Sequence, residues 1–189
     1  AGNEFVFQGL AAQNVETLTE YKVKKVVSTC AHCFNTLKNE YKEFGIELEV
    51  VHHTQLLNRL VREGKLTPVQ EGAGAHKRSI TYHDPCYMGR IDGSHDAPRQ
   101  ALGGEIMEMH RCRDKTFCCG AGGARMWVEE DADKRVNLIR AQEALDTGAD
   151  EVGTGCPFCM TMLTDGMKTL GSDMVVRDIS EIMAEQLEA

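Results

Sequence analysis

The pattern of apolar positions in this chain occurs twice. After Cys30-Ala31-His32-Cys33 the set Phe34, Leu37, Tyr41 and Phe44 draws one helical stripe. After Cys156-Pro157-Phe158-Cys159 the set Met160, Leu163, Met167 and Leu170 draws the same stripe at the same spacing. The offset is 126 residues, and it also aligns Val26-Val27-Ser28-Thr29 with Val152-Gly153-Thr154-Gly155, two short runs that read as strands. Gly45 and Gly171 stand where a helix C-cap is expected. Leu48 to Val51 and Met174 to Val176 predict further strands. Leu56, Leu57 and Leu60, and in the second copy Ile179, Ile182, Met183 and Leu187, predict closing helices.

Each copy thus reads as helix, strand, Cys-x-x-Cys, helix, strand, helix, which predicts an α/β fold of two pseudo-repeated units. Short parallel sheets flanked by helices would form each unit, with the first one truncated. The expected division is 1–67 for the later part of a first repeat, 68–78 for a linker with Gly72, Gly74 and mixed charge, and 79–189 for a complete second repeat. The second repeat's upstream half holds a strand from Ser79 to His83, Cys86, and a polar loop from Gly89 to Ala97. The double cysteine Cys118-Cys119 and a helix from about Met126 to Leu145 follow. The chain opens without Met in a helical pattern marked by Phe5, Val6, Gly9-Leu10, Val15 and Leu18, so it reads as a piece whose upstream part is missing.

Composition narrows the function. A net charge of −8 and a pI near 5.4 argue against a nucleic-acid surface, which needs clustered Lys and Arg. Glu129-Glu130-Asp131 reads as a solvated helix face. Ala1 to Leu18 is amphipathic and carries Glu4 and Glu16, unlike a secretory signal, and no apolar run reaches the length of a membrane span. Eight cysteines in 189 residues are too few for a disulfide-stapled scaffold, and the expected setting is a reducing cytoplasm.

The cysteines carry the chemistry. Cys86 is followed after 31 residues by Cys118-Cys119-Gly120, and Cys156 and Cys159 follow after 35 more. Each Cys-x-x-Cys closes a strand and opens a helix, where unpaired N–H groups and the positive dipole end favour thiolate. Neighbouring side chains of an extended segment point to opposite sides, so Cys118 and Cys119 suit two iron atoms of a broad cluster. Gly120, Gly122 and Gly123 let backbone approach bulky sulfides, and their amides can donate to cluster sulfur. Structural zinc takes four ligands, and here five thiols are on offer. Two other readings remain open on residues alone: a cluster-free, glutaredoxin-like thiol–disulfide enzyme using Cys156 and Cys159, and a noncatalytic zinc scaffold.

The spacing Cys-x31-Cys-Cys-Gly-x35-Cys-x-x-Cys, with Tyr82-His83-Asp84-Pro85-Cys86-Tyr87 and Phe117-Cys118-Cys119-Gly120-Ala121-Gly122-Gly123, resembles the cysteine-rich CCG domain of heterodisulfide reductases. It is similar also to bacterial fusions that join a quinone-reacting membrane domain, a ferredoxin-like domain and two such repeats. The resemblance implies an iron–sulfur oxidoreductase with a noncubane [4Fe–4S] cluster on Cys86, Cys118, Cys119, Cys156 and Cys159. It makes Cys30 and Cys33 the closing pair of an incomplete second site. The partners it implies are an upstream ferredoxin-like domain or subunit, an electron-transfer flavoprotein or dehydrogenase, and a quinone-reacting membrane domain. Through missing upstream segments the chain would lie at the cytoplasmic face of a membrane.

The remaining candidates are weaker. His83, beside Cys86, is placed to protonate a substrate thiolate, although a structural hydrogen bond is the commoner role for such a residue. Cys112 fits no motif, and His32, His52, His53 and His76 show no metal spacing. Trp127 reads as core.

Overall fold

In the computed structural model, residues 2–67, 78–103, 105–131 and 134–187 are described. Helix α1 (Glu4–Glu20) leads into strand β1 (Lys25–Ser28), helix α2 (Ala31–Asn35), strand β2 (Glu49–His52) and helix α3 (His53–Arg62). Strand β3 (Ile80–His83), helix α4 (Asp96–Leu102) and helix α5 (Val136–Leu145) follow. The chain then closes with β4 (Glu151–Thr154), α6 (Pro157–Thr169), β5 (Val175–Asp178) and α7 (Ile179–Leu187). All strand pairs are parallel, β1 with β2 in one sheet and β3-β4-β5 in the other, so the fold is α/β. The expected linker, Pro68 to Arg78, lies outside the described residues except for Arg78, and so does His76.

The duplication holds element by element. Lys25 pairs with Glu49 as Glu151 pairs with Val175, and the other pairs of β1-β2 and β4-β5 keep the same 126-residue offset. Gly45 (φ 80°) and Gly171 (φ 69°) both take the left-handed conformation that ends the intervening helical segment. The segment itself differs between copies. The second is the unbroken α6. The first breaks into α2, a π turn at Thr36–Glu40 and a 3₁₀ turn at Tyr41–Phe44.

Five expectations are corrected. The helix forecast from Met126 begins only at Val136: Ala124 is left-handed (φ 60°), a 3₁₀ turn covers Arg125–Trp127, and Val128 is extended. Glu129-Glu130-Asp131 therefore lies outside any helix, with Glu130 paired to Arg125. Trp127 is 79% exposed and is not core. In α6 the buried face is Cys159, Met162, Leu163, Gly166 and Met167, rotated from the expected stripe, and Leu170 is partly exposed. In α1, Phe5, Val6 and Leu10 are exposed. The inward positions are Phe7 (edge-on to Phe44), Ala11 and Leu18, and the exposed Asn14 on the same side donates to the Tyr41 hydroxyl at 2.9 Å, a 4-3-4 spacing.

The two halves pack on each other through polar pins. His53 Nε2 lies 2.9 Å from Asp178 Oδ1, Gln55 donates to Ser94 Oγ at 2.7 Å, and Asn58 donates to Gln100 Oε1 at 2.9 Å. Gly155 sits at this seam: a Cβ there would stand 2.8 Å from Thr54 Cγ2 and 3.3 Å from His52 Cε1, inside normal contact.

Candidate metal centre

The carboxyl ends of β1, β3 and β4 each deliver thiols, as parallel α/β sheets tend to deliver their functional groups. Cys30 and Cys156 are the extended residues that cap α2 and α6, and Pro157 opens α6 with its φ already set for helix. Cys86 precedes the π turn Tyr87–Asp92. Asp84 fixes its position. Asp84 accepts a bidentate pair from Arg99 (2.7 and 2.9 Å) and the backbone N–H of Arg113 (2.8 Å), and its own carbonyl accepts from Thr116 Oγ1 (2.8 Å). One carboxylate thus ties the Cys86 turn, α4 and the segment entering Cys118-Cys119. Gly89 lets this happen, since a Cβ there would meet the Arg113 carbonyl oxygen at 2.5 Å.

The result is a continuous run of interacting thiols: Cys86 with Cys118, Cys118 with Cys119, Cys119 with Cys159, and Cys159 with Cys156. Cys156 meets Cys30, and Cys30 meets Cys33. All five thiols singled out by the spacing are brought together, and the pair Cys30/Cys33 joins them end-on. The doublet departs from an extended ribbon. Gly120 (φ 93°) turns its N–H back onto Cys118 Sγ at 3.2 Å, so the two neighbouring thiols meet while one reaches Cys86 and the other Cys159. Cys119, Cys156 and Cys159 are buried, Cys86 and Cys118 half-buried, and Cys33 exposed. Cys112 stands apart from the run, beside Glu108; burial and the Glu108 carboxylate raise its pKa.

Crowding dictates the protonation. Hydrogen bonds from Cys119 and Cys86 hold Cys118 far below the usual thiol range, and Cys156 and Cys33 do the same for Cys30. Cys119, Cys86, Cys33 and Cys159 move the other way. Cys119 is pushed up to about 12 by Cys118, Cys86 is raised by Cys118, Cys33 by Cys30, and Cys159 by Cys119 and Cys156. Two thiolates propped by protonated neighbours make a field of sulfur lone pairs, in which His32 partners the Cys30 end while the Cys118 end rests on thiols and the Gly120 N–H. A metal centre would let every member ionise. The donor set is nearly all thiolate and exceeds the four ligands of tetrahedral zinc. It carries a backbone N–H aimed at sulfur and is lined by Phe34, Met88, Ala121 and Met162. These features fit an iron–sulfur group.

Two histidines adjoin the run. His32 forms a group with Cys30 and Cys156 whose ligand atoms lie within 4.8 Å of one another, and its pKa is pushed up to about 10 by hydrogen bonds to Cys156 and then Cys30. Nothing in the spacing of histidines marks it. The only signal is its place inside Cys30-Ala31-His32-Cys33, and the contact with Cys156 depends on how the halves dock. Its ring also stacks near Tyr87 and meets Phe158 edge-on. His83 is fully buried, and a nitrogen of its ring lies within 4.8 Å of both Cys119 and Cys159 Sγ. Burial, then Arg140, depresses its pKa strongly. His52 and His53 stack at the seam, outside the run of thiols. Beside the Gly120 turn a surface groove of about 410 Å³ is lined by Met126, Trp127, Val128, Glu129, Glu130 and Arg135.

Among the described residues no helix is long and apolar enough to cross a membrane. The chain is 42% identical over 98% of its length to "Probable iron-sulfur-binding oxidoreductase FadF" of Bacillus subtilis, covering 27% of that protein. It is 40% identical over 99% of its length to "EtfAB:quinone oxidoreductase" of Syntrophomonas wolfei, again covering 27%. Against a dihydromethanophenazine:CoB--CoM heterodisulfide reductase polypeptide of Methanosarcina barkeri it is 40% identical over 96% of its length, covering 45%. The chain therefore spans between about a quarter and a half of these curated relatives. The model of the cysteine-rich domain named CCG matches residues 1–38 and 80–164, and these matches, over most of the sequence, place the chain in the CCG cysteine-rich domain family.

Proposed function

We propose that this chain holds an iron–sulfur cluster on Cys86, Cys118, Cys119, Cys156 and Cys159, and works as the electron-transfer module of an oxidoreductase. The observation that carries the reading is the unbroken run of interacting thiols from Cys86 to Cys156, across the carboxyl ends of β3 and β4. Five thiolates on two diverging arms favour a noncubane [4Fe–4S] centre over a four-cysteine cubane. Such a group supplies one-electron chemistry, and the chain supplies ligation, burial and hydrogen bonds that tune it. Asp84 sets the Cys86 arm, Gly120 the turn of the doublet, and α6 the closing pair. Cys30 and Cys33 border the same field, with His32 beside Cys30 and Cys156, and would form part of a second site.

Within a longer protein, electrons would pass between an electron-transfer flavoprotein or dehydrogenase and a quinone or disulfide, by way of a ferredoxin-like domain or subunit. A membrane-bound domain of that protein would set the chain at the cytoplasmic face. The names of the Syntrophomonas and Methanosarcina relatives support this choice of partners. The division into an incomplete repeat over 1–67 and a complete one over 79–189 accords with the shared strand register.

Anaerobic reconstitution followed by iron and acid-labile sulfide analysis tests the reading. Expected are roughly four irons and four sulfides per chain, the content of a [4Fe–4S] centre. A chain that retains zinc but neither iron nor sulfide would overturn it.

A further inference from the structure

His83 ends β3 and is 0% exposed. Its Nδ1 lies 2.9 Å from Nε of Arg140, which is also fully buried. A guanidinium has donors only, so Nδ1 must accept. A neutral imidazole carries one proton, and that proton therefore sits on Nε2. Arg140 cannot swing away to release this tautomer. Its Nη1 donates to the Arg111 carbonyl at 2.9 Å and to Glu143 Oε2 at 2.8 Å. The Nε2–H left over is buried and has no hydrogen-bond partner. A donor in that state costs on the order of 1–3 kcal/mol unless something accepts it. The same ring has a nitrogen within 4.8 Å of the sulfurs of Cys119 and Cys159.

We propose that His83 is the N–H donor to a sulfur of the cluster, held in that tautomer by Arg140, and is not a metal ligand. A neutral imidazole that ligates through Nε2 must carry its proton on Nδ1, and Arg140 offers that proton no acceptor. A donor aimed at cluster sulfur stabilises the added electron of the reduced state, so His83 sets the potential upward. Arg140 is the positioning residue behind it, and the inference rests on the cluster reading above.

The test is a dye-mediated potentiometric titration, followed by EPR, of the anaerobically reconstituted chain. His83→Leu should load iron and sulfide as wild type does and titrate at a lower midpoint. His83→Gln, whose amide accepts from Arg140 and donates onward, should return the midpoint towards wild type. An unchanged midpoint in a fully loaded His83→Leu overturns the inference. If His83→Leu fails to load, pulsed EPR of wild-type protein labelled with ¹⁵N-histidine decides. A weak nitrogen coupling that survives His32→Gln is expected. A coupling of the size of a direct iron–nitrogen bond, or none, overturns the proposal. Wild-type protein that takes up no iron or sulfide would instead defeat the cluster reading itself, and this inference with it.

Discussion

At the scale of single residues, thiols that meet in space are separated by up to 126 positions in sequence, as Cys30 and Cys156 are, and contact decides their properties. Cys119→Ser removes the link between the Cys118 arm and Cys159. It should abolish iron retention after desalting, whereas Cys112→Ser, outside the run, should retain the wild-type iron content. His52 offers a second check. Its burial and the neighbouring His53 hold its pKa at about 4, against roughly 6.5 for a free histidine. Folded His52 stays neutral while the unfolded chain takes up a proton, so stability is complete above about pH 6.5 and is lost as pH falls towards 4. The loss is on the order of 3 kcal/mol. Urea unfolding of apoprotein across that window should show a loss smaller by about that amount in His52→Asn than in wild type, the remainder coming from other buried groups such as His83. Cys86, Cys118, Cys119, Cys156 and Cys159 are legible as a set because their spacing is a linear property of the chain. The contact of His32 with Cys156 is not, because it arises only when two halves of the chain dock.

At the scale of elements, close approach matters more than intrinsic preference. Gly166 lies within α6 where a Cβ would stand 2.8 Å from the Ala141 Cβ and 3.0 Å from the Asn137 carbonyl oxygen of α5. Gly166→Ala gains about 1 kcal/mol of helix propensity but forces the helices apart at roughly 1–3 kcal/mol, so a net loss is expected in chemical denaturation. Gly9→Ala in α1, where nothing lies within 4 Å, should instead stabilise by up to about 1 kcal/mol. Strand positions and both glycine helix ends are readable from periodicity and turn chemistry. The late start of α5 is not: the apolar residues from Met126 onward keep a helical look, while the chain turns left-handed at Ala124 and extends at Val128, with Met126 packed against the hydrophobic core that includes Cys119 of the doublet. Helix α4 reads as loop at its start because His95-Asp96-Ala97-Pro98 looks like a turn. Its place is fixed by Arg99, which grips Asp84 and Glu108.

At the scale of the whole molecule, the sulfur run reaches across the seam where Cys156 meets Cys30, so filling the proposed cluster site should also steady the docking of the halves. Metal binding to the folded state alone stabilises it by mass action. Reconstituted protein should therefore melt several degrees higher than apoprotein by calorimetry, and an iron chelator under reducing conditions should reverse the gain. Asp84→Ala should weaken the same junction. It leaves the Arg99 guanidinium, only 9% exposed, with Glu108 as its remaining carboxylate, at an expected cost of about 3 kcal/mol, read by urea unfolding of the apoprotein.

The seam also makes the copies unequal. Gly155 is confined against Thr54, and the residue at the matching place in the first copy, Thr29, faces solvent. A chimera exchanging Ser28–Cys33 with Thr154–Cys159 would keep every sulfur ligand yet wedge a threonine between surfaces that leave room for one hydrogen atom. The duplicated segments have thus become handed parts, each fitted to its own berth, and identity of ligands no longer makes them exchangeable.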